Sequence, residues 1–239
     1  SSVTHFDQST MPYAASTGDL FYDIHGPLSF SYGYFKIQPL INPVIETQPL
    51  IADALPTTGT DEFRVMTWNV ENFFDFLEPH PSSPSLPTVA EYRAWVEKIA
   101  NAILLADYPA VIGFQEVEHV GALEDIAEHQ LLQQFNYQAV LLEGTDSRGI
   151  DVGYLVRGDV QVLDVQQFPA PEELTPRPPL LVKVQIDLEG RTQIVYLLNN
   201  HFLAMSGGEQ ATEPRRIAQA AWNGELVQQI LADDPDAFV

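Results

Sequence analysis

Aromatic and aliphatic residues recur in short runs through the first 45 residues of the chain. The runs at 20–22 and 30–37 predict β-strands, because aromatic and β-branched side chains suit a half-buried pleated surface. Residues 46–61 are rich in proline, threonine and aspartate and predict a linker. We therefore expect a β-rich segment over residues 1–45, this linker, and a larger domain over residues 62–239.

Beyond residue 62, runs with the pattern of strands alternate with runs that have the period of a helix. The predicted strands lie at 63–70, 110–115, 137–142, 150–156, 160–168, 180–188 and 193–199. Thr88 and Glu91 have the spacing of a capping box and predict the start of a first helix. Further helices are predicted over 121–135 and over 213–231, the latter with four residues on its inward face, Ile217, Ala221, Val227 and Leu231. The alternation predicts an α/β domain.

The charge of the chain is strongly acidic. It contains 33 acidic and 11 basic residues, for a formal net charge of −22, while 45% of its residues are apolar. This balance is compatible with an acidic surface that keeps the protein soluble. It is also compatible with a set of carboxylates that bind cations. A passive nucleic-acid-binding module is disfavoured, because such proteins gain affinity from Lys and Arg contacts to phosphates. An enzyme tolerates weaker substrate binding.

Cysteine is absent from the sequence, which excludes disulfides, thiol nucleophiles and thiolate zinc sites. No run of about 18 apolar residues occurs, so no membrane span is expected. The first residues lack the basic and apolar regions of a signal peptide.

Two polar residues follow apolar strands at their carboxyl ends, where the sites of α/β proteins commonly gather. Asn69 ends the run 63–70, and Glu116 follows the run 110–115. Each has a structural alternative, a turn-forming amide for Asn69 and an ion pair or solvated strand end for Glu116. A single carboxylate with water and phosphate oxygens suits Mg²⁺ or Mn²⁺ better than zinc.

Two further segments carry candidate functional residues. Arg148 and Asp151 flank Gly149 before a predicted strand, where the Arg148 guanidinium either grips a phosphate or pairs with Asp151. His201 is the one of six histidines that directly follows a strongly apolar strand, and its imidazole is suited to donating to a phosphate or exchanging protons. The other histidines, at positions 5, 25, 80, 119 and 129, are expected at the surface.

Four motifs in this order resemble the endonuclease/exonuclease/phosphatase superfamily, and in particular its large secreted bacterial nucleases. They are Thr67-Trp68-Asn69-Val70-Glu71-Asn72, Gln115-Glu116-Val117-Glu118, Arg148-Gly149-Ile150-Asp151 and Asn199-Asn200-His201. The resemblance implies a four-layer α/β/β/α sandwich. It also implies that residues 18–39 correspond to the last strands of a preceding OB-like domain.

The resemblance assigns roles to five residues. Asn69 and Glu116 match the residues that hold the divalent metal, with Mg²⁺ expected and Mn²⁺ or Ca²⁺ as alternatives. His201 matches the histidine at the scissile phosphate, so His201 and Asn69 are the implied catalytic residues. Arg148 and Asp151 match a signature with a phosphate-orienting, substrate-binding or scaffolding role.

The sequence departs from the family pattern in its last part. The motifs Gly-Asp-x-Asn and Ser-Asp-His, which orient and activate the attacking water in the family, do not occur. Leu203 and Met205 stand where the subgroup tends to carry lysine. We therefore expect a domain truncated at its C-terminus and inactive alone, which a second chain or a missing segment would complete.

Three functional hypotheses follow. The first is metal-dependent phosphodiester hydrolysis by an extracellular or cell-surface nuclease acting on nucleic acid. The second is a non-catalytic scaffold or interaction protein that retains the fold. The third is a hydrolase of the same superfamily that acts on a phospholipid or on a sugar or inositol phosphate, which the charge of −22 makes less remote.

Overall fold

The computed structural model describes most of the chain as two compact units, Ser1–Leu55 and Pro56–Val239. The described residues are 19–31, 33–47, 55–77, 80, 82, 84–170 and 173–239. The domain limits expected from the sequence, at residues 45 and 62, remain predictions.

The described part of the first unit consists of two antiparallel strand pairs. Strand β1 (Leu20–Tyr22) pairs with β4 (Val44–Glu46), and β2 (Leu28–Ser31) pairs with β3 (Tyr34–Ile37). The strands predicted at 20–22 and 30–37 are therefore present, the second as parts of two strands. Its OB-like character stays a prediction, and residues 1–18, including His5, lie outside the described residues.

The second unit contains seven strands and three α-helices among its described residues. The strands are β5 (Val65–Phe73), β6 (Val111–Val117), β7 (Gln138–Leu141), β8 (Asp151–Val156), β9 (Gln161–Gln167), β10 (Leu180–Leu188) and β11 (Arg191–Asn199). The helices are α1 (Val89–Leu105), α2 (Val120–Ala127) and α3 (Glu209–Asp233).

These strands form two sheets. The first has the order β5-β6-β8-β7, with β5 parallel to β6 and the other pairs antiparallel. The second has the order β11-β10-β9 and is antiparallel. Strands β10 and β11 pair from Leu180 and Asn199 to Leu188 and Arg191, so a two-residue turn connects them. Gly190 has a φ of 81° in this turn, a conformation that glycine adopts without steric cost.

The hydrophobic core lies in three layers between four layers of secondary structure. Helices α1 and α2 bury Ile99 and Leu123 against the first sheet. The facing sides of the two sheets bury residues such as Tyr154 and Val184. Helix α3 packs Ile230 against Tyr196 on the outer side of the second sheet. The predicted mixed α/β sandwich is thus confirmed, because each sheet has one helix-covered face and one face turned to the other sheet.

The structure confirms the predicted start of α1 but ends α2 earlier than predicted. The capping box at Thr88 is present, since its hydroxyl accepts from the Glu91 N–H and the Glu91 carboxylate accepts from the Thr88 N–H. Helix α2 ends at Ala127 rather than 135, because the apolar residues that continued its pattern reach the core from turns, as the fully buried Leu132 does. None of the helices among the described residues is long and apolar enough to cross a membrane.

The inward face predicted for α3 is wrong. Ile217 is 62% exposed, Ala221 and Leu231 are also exposed and Val227 is half-buried, whereas Gln219 is 2% exposed. The Gln219 amide donates to the Leu174 carbonyl and accepts from the Leu203 N–H, both at 2.9 Å. These two bonds to neighbouring loops fix the rotation of the helix. The spacing of apolar residues alone does not predict this rotation.

Candidate active site

The carboxyl ends of β5 and β6 are irregular at the two polar residues that the sequence singled out. The strands pair regularly up to Asn69 and Gln115 and resume at Phe73 and Val117. Glu116 lies in this irregular stretch with a φ of 65°. A left-handed conformation at a non-glycine residue costs about 1–2 kcal/mol, and such bulges re-aim side chains next to sites. Here the bulge turns the Glu116 carboxylate toward the end of β5.

Asn69 holds Glu116 through hydrogen bonds. Its Nδ2 donates to Glu116 Oε1 at 3.2 Å, and the Asn72 N–H donates to Glu116 Oε2 at 2.9 Å. The Asn69 Oδ1 accepts from the Glu71 N–H at 2.9 Å. Because its oxygen accepts and its nitrogen donates, the orientation of the Asn69 amide is fixed by the network. Asn69 therefore orients Glu116 directly, and its oxygen keeps one lone pair for a further contact.

His201, from the second sheet, contacts the same carboxylate. It follows β11, and its Nε2 lies 3.3 Å from Glu116 Oε1, with both side chains 13% exposed. His201 Nδ1 is buried and has no hydrogen-bond partner among the described residues. We therefore place the ring proton on Nε2, facing Glu116.

A buried amide pair fixes where His201 stands. Asn199, two residues before His201, donates from Nδ2 to the carbonyls of Phe114 at 2.8 Å and Gly153 at 3.0 Å. Its Oδ1 accepts from Gln115 Nε2 at 2.6 Å. Asn199 and Gln115 are 6% and 8% exposed. One side chain of β11 thus contacts β6 and β8 across the sheet interface and sets the position of the segment that carries His201.

Glu116 is ionised near neutral pH. The hydrogen bond from His201 lowers the pKa of Glu116 to about 2, and Asn69 and the nearby Arg148 charge act in the same direction against the effect of burial. A carboxylate with this pKa at the junction of two sheets is suited to binding a divalent cation.

Arg148 lies at the rim of the site and pairs with Asp146. Its Nε is 3.5 Å from Asp146 Oδ1, and its side chain is 46% exposed. The structure therefore contains the pair Arg148–Asp146 in place of the Arg148–Asp151 pair considered as an alternative. The exposed guanidinium keeps donors available for an anion.

Asp151 lies behind the rim and is 4% exposed. Its Oδ1 accepts from the Gly144 N–H at 2.8 Å. Burial raises the pKa of Asp151 to about 7, and the Glu143 carboxylate adds to this effect. In this position Asp151 supports the loop before β8, and the substrate-binding role expected for it stays a prediction.

Arg177 is a residue that the sequence did not single out. It is 7% exposed, its guanidinium pairs with Asp146, and it donates to the His201 carbonyl from Nε and one terminal nitrogen at 3.4 Å. It therefore links the loop of Arg148 to the segment of His201. The sequence offered only a lone arginine between Pro176 and Pro178, which is a weak signal.

The expectation that the remaining histidines are surface residues is wrong for His80. His80 is 4% exposed and stacks edge-on against Phe74, with ring centroids 4.3 Å apart. His119 is partly exposed and contacts Asp75. His80 lies in the loop after β5, where no strand-end pattern marks it, whereas His119 lies only two residues after β6 and was passed over in the sequence. His25 is exposed and His129 is half-buried.

The comparisons with known proteins agree with this architecture. Residues 64–239 match the sequence profile described as the Endonuclease/Exonuclease/phosphatase family. Comparison with curated protein sequences gives no significant match.

Matches among solved structures include proteins from several animals. Truncated TDP2 from Caenorhabditis elegans has a TM-score of 0.51 at 19% identity, covering 73% of this chain and 58% of that one. TDP2 from D. rerio complexed with single-strand DNA product has a TM-score of 0.47 at 19% identity, covering 73% and 57%. The human Nocturnin catalytic domain with bound sulfate anion has a TM-score of 0.41 at 13% identity, covering 70% and 60%.

The chain spans about half the length of the structures it matches first, 44% and 45% of two C. elegans TDP2 chains. At such identities the likeness concerns the fold. The family profile, in contrast, covers most of the chain and all four motifs. The chain therefore belongs to the endonuclease/exonuclease/phosphatase family, whose members are hydrolases of phosphate esters.

Proposed function

We propose that this chain carries the metal-binding and phosphate-facing part of a metal-dependent phosphodiesterase, an extracellular or cell-surface nuclease. The observation that carries the proposal is the convergence of Asn69, Glu116 and His201. They come from three different strand ends in two sheets and meet around one ionised carboxylate. A purely structural carboxylate would not require a bulged, left-handed backbone to reach that place.

The residues present fit a hard divalent cation. Glu116 accepts three hydrogen bonds or close contacts and keeps part of its oxygen lone pairs, and Asn69 offers a further oxygen. One carboxylate and one amide oxygen suit Mg²⁺, with Mn²⁺ and Ca²⁺ as alternatives, because these ions accept water and phosphate oxygens in their remaining positions. A bound divalent ion supplies Lewis-acid polarisation of the phosphoryl oxygen.

The protein residues have separate tasks in this proposal. Asn69 orients the Glu116 carboxylate, and His201 donates its Nε2 proton to a phosphate oxygen as negative charge develops there. Arg148 contributes guanidinium donors at the rim, and Asp151 holds the loop that presents Arg148. The motifs that orient and activate water in the family do not occur in this sequence, so we propose that those groups come from a missing segment or a second chain.

The substrate class is proposed to be nucleic acid. The resemblance to secreted nucleases supports it, whereas the net charge of −22 repels a polyanion at long range unless cations screen the repulsion. Hydrolysis of single-stranded DNA, RNA, sphingomyelin and a phosphomonoester in the presence of Mg²⁺ separates the nuclease from a phospholipase or phosphatase of the same family.

The test begins with metal binding by the 239-residue chain. Calorimetry with Mg²⁺ is expected to show binding that Glu116→Gln weakens at least tenfold. Glu97→Gln, the same change on the exposed face of α1, is the matched control and should leave binding unchanged.

Hydrolysis is then measured with this chain and with any longer product of its reading frame. We expect turnover only where Gly-Asp-x-Asn and Ser-Asp-His are supplied, and Glu116→Gln should abolish it. Turnover that Glu116→Gln leaves at the wild-type rate would refute the assigned site. A completed protein that hydrolyses none of the four substrates would instead support a scaffold.

A further inference from the structure

A second group of candidate metal ligands lies where the segments after β5 and β6 run side by side. It consists of Asp75, Glu118 and His119, each with one ligand atom within 4.8 Å of the others. His119 Nε2 is 3.2 Å from Asp75 Oδ2 and 4.0 Å from Glu118 Oε2. Ligand atoms about 2.1 Å from a tetrahedral zinc ion are about 3.4 Å apart. The separations of 3.2 Å and 4.0 Å lie on either side of that spacing, and the ligand atoms of the two carboxylates lie within 4.8 Å of each other.

The donor types also point to a metal. Two carboxylates and an imidazole nitrogen suit first-row transition metals such as Zn²⁺ and Mn²⁺. Mg²⁺ and Ca²⁺ instead prefer oxygen ligands to the softer imidazole nitrogen. The exposed side of the group is His119, whose side chain is 38% exposed. An ion would reach the carboxylates from that side, where water completes its coordination.

The carboxylates of this group are buried and lack strong cationic partners. The side chains of Asp75 and Glu118 are 11% and 10% exposed. Their ion-pair partners among the described residues are imidazoles, those of His80 and His119. Two carboxylates so close together repel each other, and burial strengthens the repulsion unless positive charge is supplied. A divalent cation supplies that charge in full.

The surroundings hold the ligands in place, as outer partners do in metal sites. The Asp75 N–H donates to Glu118 Oε2 at 2.7 Å, and the Leu77 N–H donates to Asp75 Oδ1 at 2.6 Å. The fully buried ring of His80 accepts from the Ser82 N–H at Nδ1 and turns Nε2 to within 3.6 Å of Glu118 Oε1. His80 therefore faces the group as an orienting residue.

This group is separate from the candidate active site. Glu116 contacts Asn69, Asn72 and His201, whereas Glu118 contacts Asp75, His80 and His119.

We propose that Asp75, Glu118 and His119 form a second metal site, for a divalent transition-metal ion such as Zn²⁺ or Mn²⁺. The bound ion ties the segment that follows β5 to the turn between β6 and α2. The bound ion stabilises these two segments next to the candidate active site, and it takes no part in the chemistry at Glu116.

The test uses the 239-residue chain with Glu116→Gln, so that binding at the other site is removed. Calorimetry and equilibrium dialysis with Zn²⁺, and separately with Mn²⁺, are expected to give one ion per chain. Adding His119→Gln should weaken binding at least about tenfold, the loss that removing even an outer partner of a metal ligand causes. His129→Gln is the matched control, because His129 is half-buried elsewhere and should leave binding unchanged.

Circular dichroism and tryptophan fluorescence verify that each variant is folded. A His119→Gln chain that binds as tightly as its parent would overturn the proposal, and so would a Glu116→Gln chain that binds no ion. Where His119→Gln prevents folding, Co²⁺ added to the Glu116→Gln chain decides. The visible spectrum of a four- or five-coordinate site supports the proposal, and the spectrum of the hydrated ion contradicts it.

Discussion

The amide of Asn199 holds the two sheets together, and replacing it with leucine tests that role. Asn199→Leu keeps the side-chain size but removes three buried hydrogen bonds, two to the Phe114 and Gly153 carbonyls and one from Gln115. A buried hydrogen bond contributes about 1 kcal/mol, and an unsatisfied buried partner costs about 1–3 kcal/mol. Gln115 keeps its bond to Thr67 Oγ1 at 3.1 Å, which limits the second cost.

We therefore expect Asn199→Leu to lower the free energy of unfolding by about 3 kcal/mol, a large part of the 5–15 kcal/mol typical of a domain. Urea denaturation followed by tryptophan fluorescence measures it. All three tryptophans (Trp68, Trp95 and Trp222) lie in the second unit, so the signal reports that unit alone.

The matched control is Asn101→Leu on α1. Asn101 is exposed and makes one hydrogen bond to the Glu97 carbonyl at 2.8 Å. This change should alter the free energy of unfolding by about 0.5 kcal/mol or less. If Asn199→Leu costs no more than Asn101→Leu, the amide does not stabilise the sheet interface and the argument for the placement of His201 is wrong.

Three further predictions concern neighbouring residues. Gly113→Ala places a Cβ 3.3 Å from Asn199 Nδ2, so it should destabilise the second unit by about 1–3 kcal/mol in the same urea assay, and less than additively when combined with Asn199→Leu. Arg177→Met should cost about 1–3 kcal/mol because it leaves the buried Asp146 carboxylate with only its contacts to Arg148, and adding Asp146→Asn should restore much of that loss; no restoration would argue against the pair. The pKa of Asp151 is raised to about 7, so the folded state binds the extra proton and stability should fall as pH rises from about 4 through 7. Asp151→Asn should flatten that fall between pH 5 and pH 8.5 in thermal unfolding, and an unchanged pH profile would contradict the raised pKa.

Much of the fold was predictable because local patterns and tertiary packing agree. Thr88 caps α1 as its spacing indicated, and β10 extends over the predicted residues 180–188. Helix α3 was mispredicted because its buried face, which carries Leu226 and Ile230, also includes the polar Gln219. Hydrophobic periodicity has no means of identifying a glutamine that is buried because two loop backbones bind it.

The candidate site, like the fold, was predictable only in part. Asn69, Glu116 and His201 follow apolar strands, so strand-end reasoning found them, and the structure brings these three side chains together. Arg177 and His80 are placed by loops, whose course depends on contacts distant in sequence. Asp146 and Asp75 were passed over because an aspartate in a loop is usually solvated and has no pattern of its own.

The hydrogen bonds around Glu116 and Asn199 join residues far apart in the chain, by 47 positions between Asn69 and Glu116 and by 84 between Gln115 and Asn199. Closing such loops costs entropy before any contact compensates, and each doubling of loop length adds about 0.6 kcal/mol. The candidate active site therefore has no local precursor during folding. A ribosome-bound chain that has not yet exposed residue 201 would contain most of the first sheet but no assembled site, and refolding should restore ligand binding only after the two sheets have docked.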